Sequence, residues 1–420
     1  MKIEKKVKIK FTEFLEENLV EEFEKKIYYI SENIISFKRI IENSIVTGIE
    51  FCVNDDSTNL EEIEKRAYEI LEKEIMGLKD VKTVRVWDND DVNYGKSDEV
   101  LQELLEQEIV HIHGEGQIGF KEPLIGLFNL FDYLFRKLST ESFQATEYIF
   151  PTLLNNGVLK KVGYFDSFPN LLMFTVRLKN EIENYNKFKE KFKNNTDANE
   201  ITKDLLQFCC GTNYGLPPTM CYYVYDMLSG KQISNQSVTA RGKSFRFENK
   251  YYKPFERLWD FTIRETVFLG DFDYVKYNVK LYREKSMKIM ELIGIHGYCE
   301  TANDPFFLVD NVTSRINVQK MFGSKYELRA RINEKKTIAM GSFNQHGQFL
   351  SKRFNLYSSH SKDEYIYTGC IGIGLERFIF AFLSQYGTNP DHWPKFVNDA
   401  ILNNKIIDDA FNEKFSTKGE

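Results

Sequence analysis

The sequence predicts an α+β fold in two domains, a small α+β domain over residues 1–95 and a larger one over residues 96–420. A length of 420 residues is enough for two domains that each bury a core. Both strand-like alternation and helix-like spacing of apolar residues occur along the chain. The polar run Asp88-Asn-Asp-Asp, with Gly95 shortly after it, is typical of a turn and predicts the boundary.

The composition is that of an ordinary soluble protein, with 42% hydrophobic and 28% charged residues. A net charge of -6 gives no general attraction to nucleic acid, so any such contact needs a local basic patch. No apolar run approaches a membrane span, and the charged, alternating N-terminus predicts a strand rather than a signal peptide. The six cysteines form no regular framework, which favours a reducing, cytoplasmic location.

The first domain is predicted to combine strands and helices. Its strands are expected at residues 6–11, 46–53 and 81–87, and its helices at residues 12–26 and 59–76. We find no chemistry in this part of the sequence. We interpret it as an appendage that recruits a partner or stabilises the chain.

The second domain begins with helices predicted at residues 97–108 and 123–137, followed by a short strand at 145–151 that ends on proline. A long helix followed by such a strand can build a dimer interface. The charge-rich segment 179–204 is typical of a solvated helix pair, and less often of a docking surface. His111 and His113 are an isolated pair, more often incidental than metal-binding.

A β-hairpin with an unusual surface is predicted around residue 250. In SFRFEN, Arg246 and Glu248 lie on one strand face, about 7 Å apart at roughly 3.3 Å per residue. After the loop 249–256, the next strand places polar and aromatic residues on one face: Arg257, Trp259, Phe261, Ile263 and Glu265. Burying such a surface for structure alone is costly, so it indicates a binding site.

A second unusual stretch is TGCIGIGLERF, a strand that continues into a helix. Gly372 and Gly374 allow either a ligand or a closely packed helix to lie against the backbone. Glu376 and Arg377 occupy the first turn of the helix, which is expected to end at Gly387.

These stretches resemble motifs of the class II aminoacyl-tRNA synthetases. The hairpin resembles motif 2, Gly372-x-Gly374-x-Glu376-Arg377 resembles motif 3, and the helix and strand ending at Pro151 look like motif 1. Further blocks look like the seryl-tRNA synthetase of methanogens and its bacterial relatives, the amino acid:[carrier protein] ligases. These blocks are GYFDSFP, PPTMCYYVY, FERLWDFTIRETVFLG, ANDPFF, KYELRA and SFNQH. The resemblance spans about residues 110–400 and implies an antiparallel sheet flanked by helices.

In that branch, two cysteines and a glutamate hold zinc in the amino-acid pocket. The matching residues here are Cys221, Glu265 and Cys370. Without the resemblance, a lone Cys221 in an apolar helix is interpreted as a small core residue, and Cys52, Cys209, Cys210 and Cys299 keep that interpretation. Three protein ligands would leave a fourth position open for the α-amine of a substrate.

The resemblance also implies a set of ATP contacts. Arg246 would neutralise the α-phosphate, Arg377 would hold the γ-phosphate, and Phe261 would stack under adenine. Glu248, Arg257 and Glu376 complete the expected ATP-binding set. Magnesium is expected with the phosphates, although the glutamate that many seryl enzymes place before the SFN block is absent from TIAMGSFN.

The implied activity is ATP-dependent activation of a small amino acid to an aminoacyl adenylate. The sequence favours a carrier protein with phosphopantetheine as the acceptor, because of the match at residues 255–270, the acidic chain and the small first domain. An atypical seryl-tRNA synthetase is the alternative, and a catalytically silent amino-acid-binding regulator is a third. The carrier is expected to dock on loop 249–256 or on basic residues of segment 179–204, Lys187, Lys189, Lys191 and Lys193. A homodimer without membrane contact is expected.

Overall fold

A computed structural model describes residues 4–54, 59–78, 83–89, 96–194, 197–302, 324–334 and 336–415. Of the ANDPFF block at 302–307, only the first residue is among them, and the others lie outside the described residues. Gly95 and the second half of the predicted boundary run also lie outside. Among the described helices, none is both long enough and apolar enough to cross a membrane.

The N-terminal unit is a three-stranded antiparallel sheet in the order β1-β3-β2, with two helices. Its elements are β1 (Glu4–Lys10), α1 (Glu17–Ile27), β2 (Ile34–Glu42), β3 (Ile45–Asn54) and α2 (Leu60–Ile70). The apolar residues of α1 and α2 share one core with alternate residues of the strands. The sequence analysis did not predict β2, because its exposed and buried residues do not alternate cleanly.

An eight-stranded sheet organises the rest of the chain, in the order β4-β14-β15-β16-β19-β13-β12-β7. Only the pairing of β12 with β7 is parallel among these described strands. The elements up to the hairpin are β4 (Arg85–Asp88), α3 (Ser97–Glu106), β5 (Val110–Gly114), β6 (Gln117–Phe120), α4 (Leu124–Lys137), β7 (Thr146–Tyr148), β8 (Leu154–Asn155), α5 (Asn156–Lys161), α6 (Tyr164–Ser167), β9 (Phe174–Leu178), α7 (Ile182–Phe192), α8 (Ala198–Leu205), β10 (Cys209–Gly215), α9 (Cys221–Met227), β11 (Gln232–Ile233) and β12 (Gln236–Phe245).

The remaining elements complete the sheet and its C-terminal cover. They are β13 (Asp260–Gly270), α10 (Phe272–Ile293), β14 (Gly297–Thr301), β15 (Lys325–Arg331), β16 (Thr337–Gly347), α11 (Phe349–Phe354), β17 (Tyr357–Ser358), β18 (Ser361–Tyr365), β19 (Tyr367–Gly374), α12 (Leu375–Tyr386), α13 (Lys395–Leu402) and α14 (Asn404–Lys414). The predicted passage from strand to helix at Gly374 is confirmed, and α12 ends at Gly387 with φ of 79°.

One strand belongs to a different sheet from the one the sequence suggested. We expected the strand at 81–87 to close the first domain, but β4 pairs with β14 at the edge of the eight-stranded sheet. The core of the N-terminal unit includes Ile75, with Leu78 packed against it. We therefore propose that the domain division lies between residues 78 and 85 rather than at 95.

Alternation along the central strands separates two cores. On β13, Phe268 faces a core built with α3, α4, α10 and α12, whereas Val267 and Leu269 face a core built with α5, α9 and α11. On β19, Ile371 faces the first core and Cys370 the second. Side chains of β13 and β19 that point towards α9 therefore lie on the same side of the sheet as Cys370.

The predicted motif 1 region is tied to the sheet by buried charges. The Arg264 guanidinium on β13 is 2% exposed and donates to both oxygens of Asp132 on α4, at 2.8 and 3.0 Å. It also donates to Glu147 on β7 at 2.8 Å. One bidentate and one single contact from Arg264 thus fix the helix and the short strand against the sheet.

Candidate active site

Three potential metal ligands meet on the α9 side of the sheet. The Sγ atoms of Cys221 and Cys370 and a carboxylate oxygen of Glu265 all lie within 4.8 Å of one another, and all three residues are buried. Cys221 opens α9, Glu265 lies in the middle of β13, and Cys370 lies on the neighbouring β19. Three residues that are scattered along the chain, the first and last of them more than a hundred positions apart, thus form one cluster.

Register explains why the cluster forms. Glu265 pairs with Gly372, and Val267 pairs with Cys370, so Glu265 and Cys370 are diagonal neighbours on the same face of adjacent strands. A side chain added at Gly372 would reach ordinary contact distance from the Glu265 carboxylate, at 3.7 Å. The glycines therefore leave a flat backbone surface beside the cluster, which agrees with the ligand interpretation of the Gly-x-Gly pattern.

The protonation of the cluster is strongly perturbed. Burial raises the pKa of the Glu265 carboxyl to about 8, and the neighbouring Cys370 adds to this effect. A hydrogen bond from the Cys221 thiol lowers the pKa of Cys370 well below its usual value, and that bond together with burial raises the pKa of Cys221. Two thiols and a carboxylate in one buried site repel when ionised, and a bound divalent cation would relieve that repulsion.

The donor set fits zinc. Tetrahedral zinc with sulfur ligands at about 2.3 Å requires sulfur atoms roughly 3.8 Å apart, a spacing that the observed cluster can reach with small movements. Glu265 is already oriented, because it accepts hydrogen bonds from the Cys221 backbone N–H and from the Thr219 hydroxyl. Orienting bonds of this kind are typical of metal ligands.

Three polar neighbours of the cluster were missed by the sequence analysis as individual residues. Nε2 of His346 lies 3.6 Å from Cys370 Sγ, and the Asn344 amide lies 3.8 Å from the same sulfur. Thr219 contacts Glu265 from the loop before α9. A signal existed in the SFNQH block, because alternate polar residues on a central strand face one side of the sheet.

The predicted α-phosphate and adenine residues lie together. The Arg246 guanidinium lies over the Phe261 ring at 5.3 Å and donates to the Pro218 carbonyl at 3.3 Å. The strand expected to contain Arg246 ends one residue earlier, at Phe245, so Arg246 belongs to the hairpin loop. The structure therefore brings the pair together through the loop rather than along a strand face.

Glu248 and Arg257, two further members of the predicted ATP-binding set, contact each other. Arg257 donates to Glu248 at 2.7 Å, and its guanidinium lies 4.9 Å from the Tyr251 ring centroid. We expected Arg257 and Trp259 on a strand, but β13 begins only at Asp260. The loop between the strands therefore covers residues 246–259, and we call it the nucleotide loop below.

The two motif 3 residues have different surroundings. Arg377 donates to the backbone carbonyls of Glu256 and Ala339 at 2.8 and 3.1 Å. Burial lowers the pKa of its guanidinium to about 10, with Arg257 acting in the same direction, so it remains charged at neutral pH. Glu376 is 4% exposed, and both its oxygens accept from the Thr262 backbone N–H at 2.9 Å. This contact fixes the Glu376 carboxylate against the start of β13.

This fold is that of a class II aminoacyl-tRNA synthetase catalytic domain. The family model for the tRNA synthetase class II core domain (G, H, P, S and T) matches residues 210–386, which contain the nucleotide loop and the three clustered donors. Among solved structures, a Methanopyrus kandleri seryl-tRNA synthetase bound to a tRNASec from A. aeolicus superposes with a TM-score of 0.66 at 18% identity, over 98% of this chain and 78% of the other. A Pyrococcus horikoshii seryl-tRNA synthetase complexed with ATP gives a TM-score of 0.53 at 14% identity, over 82% and 80%. The expected fold is confirmed.

The relatives in sequence are serine–tRNA ligases. A type-2 serine–tRNA ligase of Methanococcus aeolicus is 26% identical over 69% of this chain and 56% of its own length. One from Methanothermobacter thermautotrophicus is 25% identical over the same shares. The chain therefore spans little more than half the length of these relatives. These matches relate it to the class II synthetases.

The expectation of a carrier protein as acceptor is wrong, because the matching relatives are named as serine–tRNA ligases. Both surfaces on which the carrier was expected to dock also have contacts within the chain. Part of the nucleotide loop, one expected docking surface, is covered by the N-terminal unit, which contacts Phe247, Asn249 and Lys250. On the other expected surface, Lys191 is paired with Asp204 at 2.6 Å.

Proposed function

We propose that this protein activates a small amino acid, serine, with ATP and transfers it to tRNA. The observation that carries the proposal is the placement of Arg246 and Arg377 around the nucleotide loop of a class II fold that also contains the Cys221, Glu265 and Cys370 cluster. The names of the relatives in sequence support serine and tRNA as the substrates.

In the activation step, a substrate carboxylate attacks the α-phosphate of ATP, and pyrophosphate leaves. The attack brings negative charges together, so the protein must supply positive charge where they meet. Arg246 would bind the α-phosphate, and Phe261 beside it would take the adenine ring. Arg377, anchored by two carbonyls, would hold the γ-phosphate with its remaining N–H groups. Magnesium would enter coordinated to the phosphates of ATP.

The amino acid would bind beside the buried cluster. Cys221, Glu265 and Cys370 would hold zinc, which when bound offers an open position to a neutral α-amine and so selects a free amino acid. Cys221 and Glu265 also line a narrow pocket with Met220, Val238 and Ala240.

The acceptor would be held partly by a basic face of the N-terminal sheet. Lys6 and Lys8 on β1 and Lys38 on β2 surround Glu50 at 3.3–3.5 Å, and each lysine side chain is at least 62% exposed. Three lysines around one carboxylate leave a local positive charge that the net charge of -6 conceals. Phosphates of a tRNA are the complementary partner.

A homodimer is also proposed, through the motif 1 region of α4 and β7. Ile149, directly after β7, is 94% exposed, and its neighbours Tyr148 and Leu153 are 37% and 45% exposed. Apolar groups exposed together in this way are typical of a subunit interface. Sedimentation equilibrium of wild type and Ile149→Asp would test it: we expect a dimer for the first and a monomer for the second.

The decisive assay supplies radiolabelled serine, ATP and total tRNA to the purified protein. We expect serine-dependent exchange of labelled pyrophosphate into ATP, and label on tRNA that ribonuclease releases. N-acetylserine should support no exchange, because its α-amine is blocked. Exchange that another small amino acid supports far better than serine would overturn the substrate, and exchange without any labelled tRNA would overturn the acceptor.

A further inference from the structure

We propose that the N-terminal unit positions the nucleotide loop of the active site in the same chain, with Tyr29 and Lys250 as positioning residues. This inference rests on the ATP-binding part of the proposed function. It assigns the N-terminal unit a role in activation, which is separate from any contact that the unit makes with tRNA.

Four hydrogen bonds join the unit to the loop. The Tyr29 hydroxyl donates to the Phe247 carbonyl at 3.1 Å, and the Asn249 amide donates to the Tyr28 carbonyl at 2.9 Å. The Lys250 ammonium donates to two carbonyls of the N-terminal unit, those of residues 32 and 34, at 3.2 and 2.9 Å. The Phe37 ring of the unit also stacks on Tyr251 at 6.3 Å between centroids. The contact therefore engages four of the five residues 247–251 in the first half of the loop.

The backbone of the loop needs external support. Asn249 and Phe255 have positive φ angles of 49° and 61°, a region that residues with side chains adopt rarely. Such conformations persist where surrounding contacts hold them. The second half is held from the catalytic domain, because the buried Phe255 ring stacks on Phe380. The first half, which includes Asn249, is held by the N-terminal unit together with the Leu171 carbonyl and the Trp259 indole of the catalytic domain.

Hydrogen bonds within the loop and from Arg377 to the loop link its position to that of the residues proposed to bind ATP. Glu248 and Arg257 pair within it, and the Arg246 N–H donates to the Trp259 carbonyl at 3.0 Å. Arg377 lies outside the loop, but its guanidinium donates to the carbonyl of Glu256 inside it. A displaced loop would therefore move the groups expected at both ends of the triphosphate.

The basic face and the docking contact use different residues of the unit. Lys6, Lys8 and Lys38 surround Glu50 on the sheet, whereas the contact with the loop comes from other residues, 28–37 at and before the start of β2, mainly through backbone carbonyls. The two roles can therefore be tested separately. Substitutions of Tyr29, Asn249 or Lys250 should alter ATP binding in the absence of tRNA.

The test compares Tyr29→Phe, Lys250→Ala and Asn249→Ala with two controls from the N-terminal unit. Tyr68→Phe removes a hydroxyl that accepts from the Lys10 N–H within the unit, and Lys65→Ala removes an exposed lysine of α2. The ATP dissociation constant is measured by calorimetry on the full chain. Emission of Trp259 is recorded as well, in proteins that also carry Trp87→Phe and Trp393→Phe, because its indole N–H donates to the Asn249 carbonyl and so reports on the loop.

We expect each loop-contact variant to raise the ATP dissociation constant and the KM for ATP about threefold to tenfold, the factor that one net hydrogen bond supplies. Trp259 emission should shift without ATP, while the KM for serine, the zinc content and both controls stay within twofold of wild type. If the three variants bind ATP as wild type does, the inference is wrong. Wild-type protein that binds no ATP would instead overturn the proposed function and this inference together, and ATP binding with another amino acid as substrate would overturn only the serine assignment.

Discussion

Replacing Arg377 by alanine is the sharpest test of the proposed activation chemistry. Two of the five N–H donors of its guanidinium are used by the carbonyls of Glu256 and Ala339, which leaves up to three for phosphate oxygens. A hydrogen bond from a charged donor contributes about 1.5–3 kcal/mol. If one or two of these hydrogen bonds to phosphate strengthen in the transition state, Arg377→Ala loses about 3 kcal/mol of transition-state stabilisation. That loss lowers the rate roughly 150-fold.

The assay is serine-dependent exchange of labelled pyrophosphate into ATP. Arg377→Lys should fall between wild type and Arg377→Ala, because lysine keeps the charge but cannot bridge two carbonyls and a phosphate. Arg66→Ala is the matched control, since Arg66 is exposed and pairs with Glu62 one helical turn away. Circular dichroism would establish that the variants are folded. Exchange by folded Arg377→Ala within tenfold of wild type would refute the assignment.

Three further outcomes are expected. Cys370→Ala should lose the one zinc per chain that elemental analysis finds in wild type, whereas Cys299→Ala should keep it, because Cys299 is buried in the other core; the reverse result would mean that the cluster is not the metal site. Asp132→Ala should lower the free energy of unfolding, measured by urea titration, by about 3 kcal/mol. The reason is that the Arg264 side chain, only 2% exposed, loses its bidentate partner. A decrease below about 1 kcal/mol would contradict that reasoning. The double variant Lys6→Glu, Lys8→Glu should raise the KM for tRNA at least about tenfold and make that KM less dependent on salt concentration. Pyrophosphate exchange should not change. An unchanged KM for tRNA would exclude this face as a tRNA-binding surface.

The sequence by itself determined the local structure of the most regular stretches. The strand through Gly374 and the helix to Gly387 follow from alternation and spacing of apolar residues, and the structure has them there. The fold class could be predicted because ordered motifs, from the hairpin to Gly-x-Gly-x-Glu-Arg, carry the resemblance. The members of the proposed metal cluster could be named only through that resemblance, because Cys221, Glu265 and Cys370 are far apart in the chain.

Tertiary structure decided what local pattern could not. Register between β13 and β19 places Glu265 beside Cys370, and no spacing along one strand contains that information. The residues before Asp260 look strand-like in sequence, yet positive φ angles and contacts with the N-terminal unit turn them into a loop. The net charge predicted no affinity for nucleic acid, whereas folding gathers Lys6, Lys8 and Lys38 onto one face of a sheet. Electrostatic attraction depends on where charges lie in space, and a sum over the sequence does not record it.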